Sequence, residues 1–137
     1  MRKIIRGLVL AAFVAVPLVL AASLNMNEGL WETSTSMNGK KLATEQKCYL
    51  KKDVVELEKM LRGELVKPKQ PCKFSDYKES GNAVNYTMTC TFGGKPSVSQ
   101  VTSTYNGDTA KGAITANGTV SVLESKRTGS CSKSSFD

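Results

Sequence analysis

Apolar and polar residues alternate most plainly in the middle of the chain. Val84, Tyr86, Met88, Cys90 and Phe92 are separated by Asn85, Thr87, Thr89 and Thr91. One face is therefore apolar and the other polar, the period-two pattern of a half-buried strand. Stretches rich in Thr, Val, Tyr and Ser recur between tight turn signals at Asn38-Gly39, Ser80-Gly81-Asn82, Gly93-Gly94, Asn106-Gly107 and Asn117-Gly118. Asn-Gly accepts positive φ at both central positions, as tight hairpins require. The pattern predicts strands at 29–37, 42–50, 72–79, 83–92, 97–105, 109–116 and 119–129. Even spacing implies antiparallel neighbours. The expected fold is mainly β, an antiparallel meander curled into a half-open barrel of about seven strands with one short helix.

The helix is read from Asp53-Val54-Val55-Glu56, a capping-box arrangement in which Asp53 accepts from early amides and Glu56 reaches back. Val54, Leu57 and Leu61 share one face, Glu58 can pair with Arg62 one turn on, and Gly63 and Pro68 end the run. About ten residues are too few to stay helical alone, so this helix must dock on the sheet.

The N-terminus follows a different pattern. Arg2, Lys3 and Arg6 precede an apolar run from Leu8 to Leu20, interrupted by Pro17, and Ala21-Ala22-Ser23 supplies small residues for cleavage. This is the layout of a secretory signal peptide, expected over 1–23, ahead of one domain at 24–137. The run is shorter than the ~20 residues of a spanning helix, and no second apolar stretch of spanning length follows. The 137-residue chain has 19 Lys and Arg against 12 Asp and Glu, a formal charge of +7. Three of those cations sit in the leader, which leaves sixteen against twelve, or +4. The expected location is periplasmic or secreted.

Export changes the meaning of the four cysteines, Cys48, Cys72, Cys90 and Cys131. An even count in a small exported domain reads as two disulfides. Zinc sites need close pairs such as C-x-x-C, which this spacing lacks. Three connectivities exist. Cys72 and Cys90 flank a hairpin centred near Gly81 and can face each other, leaving Cys48 for Cys131. Direct cross-strand bridges are geometrically demanding, which favours the sequential scheme, Cys48–Cys72 with Cys90–Cys131. There is no histidine, so Ser-His-Asp and Cys-His catalysis and every His-ligated metal site are excluded. No catalytic residues, metal or cofactor are expected, and the protein reads as a non-enzyme.

The ordered set Gly29-Leu30-Trp31-Glu32, Cys48, Cys72, Cys90 and Arg127-Thr128-Gly129-Ser130-Cys131 resembles a bacterial export family known as domain of unknown function 3617. The resemblance covers nearly the whole expected mature chain and implies a small exported β-protein without supplying a reaction or ligand. Relatives of that kind often carry a longer loop after the first strand. Here it shrinks to Met37-Asn38-Gly39-Lys40.

Five residues are candidate binding positions. Trp31, the single tryptophan, can contact a ligand or anchor the core; Tyr86, Met88 and Phe92 can line an interior cavity or simply fill it. Arg127 is expected against Trp31 or Glu32 across a closing strand pair. Lys40-Lys41, Lys51-Lys52 and Lys126-Arg127 could meet an anionic surface or merely be solvated. Nucleic acid is not an expected partner, because dense charge with interleaved aromatics is missing. The reading is a binding or interaction module of the cell envelope, with an envelope protein, an anionic surface or a hydrophobic ligand as its partner. Its alternatives are a small hydrophobic-ligand or lipid carrier, which calls for an unfilled cavity of roughly 300 Å³, and an inhibitor of an envelope-attacking hydrolase, which calls for an acidic face.

Overall fold

The structure is a computed structural model that describes residues 24–137; the expected leader at 1–23 lies outside the described residues. Seven antiparallel strands form one sheet: β1 (Gly29–Met37), β2 (Lys40–Tyr49), β3 (Cys72–Ser80), β4 (Ala83–Phe92), β5 (Lys95–Tyr105), β6 (Thr109–Ala116) and β7 (Thr119–Gly129). The spatial order is β2-β1-β7-β6-β5-β4-β3. Among the described residues a single helix, α1 (Lys51–Leu61), runs between β2 and β3, the two edge strands.

That connection crosses a curved sheet. An 11-residue helix is about 16 Å long, far less than the width of seven strands spaced ~4.8 Å apart. The sheet curls until both edges approach α1, which touches β2 and β3. The barrel therefore stays open, with the helix across the gap. Beneath the helix, Leu24, Leu61 and Val84 form the buried centre, with Met26, Leu57, Phe74, Tyr77, Tyr86 and Tyr105 packed around them.

The helix starts earlier than expected. Leu50 is its N-cap, and Asp53 is the third helical residue, reaching back to accept from the Leu50 amide at 2.7 Å. Asp53 thus plays the part assigned to Glu56, because a carboxylate satisfies an orphan amide best from three residues inside. The Glu58–Arg62 pair forms at 3.1 Å and extends to Glu79 on β3. Gly63, with φ +74°, ends the helix.

The disulfides join Cys48 to Cys131 and Cys72 to Cys90, which corrects the sequential scheme. The strand register explains both. Cys72 and Cys90 are direct partners across the β3–β4 hairpin, where side chains on one face lie ~4.5–5.5 Å apart. Leu30 pairs with Cys48 on one side and Gly129 on the other, so the chain reaches Cys131 beside the end of β2. Residues 130–137 then fold back over that end. The Ser135 amide donates to the Cys48 carbonyl, the Cys48 amide donates to Ser135 Oγ at 2.7 Å, and Phe136 packs on Tyr49 with ring centroids 4.9 Å apart.

Candidate functional site

Inward-facing residues of six strands and α1 line an open cup of about 210 Å³ on the concave face. β1 contributes Trp31 and Thr33, and β2 contributes Tyr49 and Glu45. The facing wall is Val101, Ser103 and Tyr105 of β5 with Tyr86 of β4. Gly112 and Ile114 of β6 and Leu123 and Ser125 of β7 form the curved back, and Leu57 of α1 closes one end. Every one of these strand residues follows from the pleat: positions two apart share a face.

Trp31 is 2% exposed, and its indole N–H donates to the Asn27 carbonyl at 2.9 Å. Gly112 sits directly opposite Ser103 and Leu123. A Cβ there would stand 2.8 Å from Ser103 Oγ, so the missing side chain keeps the back of the cup open. Three tyrosines converge on the space. Burial, followed by Tyr105, Glu45 and Asp53, pushes the Tyr49 phenol up to about 12. Burial and Tyr105 raise that of Tyr86, burial raises that of Tyr105, and the Ser103 hydroxyl opposes both shifts. All three therefore stay protonated and neutral at physiological pH. Charge is confined to the mouth, where Glu45 pairs with Lys47 at 3.3 Å and Lys111 with Glu124 at 3.7 Å.

Of the five candidate residues, Trp31 and Tyr86 meet in the cup. Met88 lies one step further along β4, opposite Phe74 and half-buried. Phe92 departs from the expected stripe: it is 65% exposed, because β4 runs past the cup there into the Gly93-Gly94 turn. Arg127 is the register partner of Trp31, and its Nε donates to the Glu28 carbonyl at 2.6 Å. Its position is a clamp on the start of β1, beside an open recess also lined by Lys51 and Asp108. Tyr49, Tyr105, Ser103 and Gly112 were not singled out from the sequence. The alternation Val101, Ser103, Tyr105 on β5 is the signal that could have marked two of them.

A narrower crevice of about 180 Å³ lies between α1 and the 67–70 loop, and Tyr49 and Leu57 line it as well as the cup. The lysine pairs do not gather into one basic face. Lys40-Lys41 and Lys51-Lys52 flank the two ends of β2, roughly 30 Å apart by strand rise, and Lys52 is paired with Asp137 at 2.5 Å. No group of acidic or cysteine side chains suited to a metal ion occurs among the described residues. No helix among them is long and apolar enough to cross a membrane.

A family model described as "Protein of unknown function (DUF3617)" matches residues 26–131. No curated protein and no solved structure matches the chain.

Proposed function

Because the chain belongs to the DUF3617 family, whose description carries no activity, we propose a function from the cup itself: the protein is an exported, non-enzymatic binding module of the cell envelope that holds one small apolar molecule. The observation that carries this is the unfilled, aromatic-lined space between Trp31, Tyr49, Tyr86 and Tyr105. A core of this size gains about 25 cal/mol for each Å² of apolar surface removed from water, so leaving such a space unfilled forgoes stability that packing would supply. Two disulfides fit an oxidising, non-cytoplasmic location and hold the cup's margins without a large core. The periplasm or the exterior is where we place the protein.

The volume bears on the two alternatives. At about 210 Å³ the cup falls below the roughly 300 Å³ at which drug-sized or lipid ligands are enclosed. It exceeds the ~150 Å³ apolar cavity that accepts benzene. A molecule of one or two rings fits, whereas a whole lipid does not. A hydrolase inhibitor would present an acidic face to a basic enzyme, but half of the twelve carboxylates, those of Glu45, Glu56, Glu58, Glu79, Glu124 and Asp137, are paired with cations.

Native mass spectrometry of protein purified from its own host's envelope fraction tests the reading. A mature chain with four hydrogens missing and one small adduct supports it. Four free thiols, or a cytosolic chain with its leader intact, would overturn it.

A further inference from the structure

The polar atoms inside the cup restrict what it can hold. Tyr86, Ser103 and Tyr105 bring three hydroxyls to one wall. Each hydroxyl has one proton that it can donate to a molecule held in the cup. Tyr49 brings a fourth hydroxyl from the facing wall, close enough for Tyr105 to influence its ionisation. No uncompensated charge accompanies these donors, because Glu45 and Lys111 are both paired at the mouth. A charged ligand group would lose its hydration and gain no counter-ion. A neutral acceptor would take a hydrogen bond from one of these donors, while a hydrocarbon would displace water from the wall and offer none in return.

Resting on the binding function proposed above, we infer that the cup takes a neutral, ring-sized carbonyl compound, its oxygen accepting from the Tyr86–Ser103–Tyr105 hydroxyl set and its ring lying against Trp31. Gly112 is the residue that admits it, because any side chain there would push into Ser103.

Calorimetric titration of the oxidised domain with three bicyclic probes tests this: 1-tetralone, its hydrocarbon counterpart tetralin, and tetralin carboxylate. The ketone is expected to bind about tenfold more tightly than tetralin, the factor that one net hydrogen bond supplies. The carboxylate is expected to bind more weakly than either. In Tyr105→Phe and, separately, Tyr86→Phe, which keep the ring and remove a hydroxyl, the preference for ketone over hydrocarbon should shrink to about threefold or less. Equal affinity for ketone and tetralin would overturn the inference while leaving the cup as an apolar binding site. Carboxylate binding as tight as that of the ketone would overturn its neutrality. Binding of none of the three would overturn this inference and the proposed function together. Comparing the probes on the unaltered protein keeps the test valid even if a variant fails to fold.

Discussion

Gly29 shows how much one position can decide. It adopts φ +145°, and a Cβ there would lie 2.4 Å from Arg127 Nε and 2.5 Å from the Gly129 carbonyl. Gly29→Ala must therefore both strain the backbone and expel the Arg127 clamp, with an expected cost of about 2–4 kcal/mol in urea unfolding. Gly129→Ala has open space around it and should change stability by less than about 1 kcal/mol. Equal effects at the two sites would show that the clamp is not formed. The four tyrosines make a second residue-scale prediction. All have phenol pKa values raised chiefly by burial, Tyr49 to about 12. The unfolded chain releases those protons near pH 10 and the folded chain does not. Their contribution to stability is thus complete below pH 10 and is lost as pH rises through 12. Phenolate absorbance should lag behind that of free tyrosine until the protein unfolds in alkali; titration near pH 10 with the fold intact would contradict the buried cluster. Trp31 and Tyr86 were legible from alternation alone. Gly112 was not, since its role depends on Ser103, which reaches it only through strand pairing.

At the scale of elements, seven strands and one helix could be read from turn chemistry and period-two patterning, with β2 and β5 each starting two residues earlier than expected. The disulfide pairing was not legible in the same way, because it follows from which strands are neighbours. Once β1 lies between β2 and β7, Cys48 and Cys131 must meet. The two bridges close loops of 83 and 18 residues, worth about 4.5 and 3 kcal/mol in the chain-entropy account. Replacing both cysteines of the longer bridge by alanine should therefore lower stability more than replacing Cys72 and Cys90, as measured by denaturant midpoint. It should also release Phe136 from Tyr49 and loosen one wall of the cup. The reverse order of stabilities would mean that the hairpin, and not the closure of β2 on the C-terminal segment, holds the frame. The edge strands also show how aggregation is discouraged. β2 carries Lys40, Lys41 and Lys47, and β3 carries Lys73 and Lys78 beside an irregularity at Asp76, where φ is +56°.

Over the whole molecule, a short helix lies between the two edges of a curled sheet, two covalent bonds secure its margins, and the interior that results is left partly empty. What the chain is built to hold is the claim on which everything else turns. The most direct measurement is amide chemical-shift mapping on the isotopically labelled, oxidised domain during titration with 1-tetralone. The account predicts saturable shifts concentrated at Trp31, Ser103, Tyr105 and Gly112 on the concave face, with the outward-facing Thr89 and Thr102 unmoved. Shifts centred instead on the crevice at Met60 and Gln70, on the recess around Asp108 and Arg127, or spread evenly over both faces would contradict it.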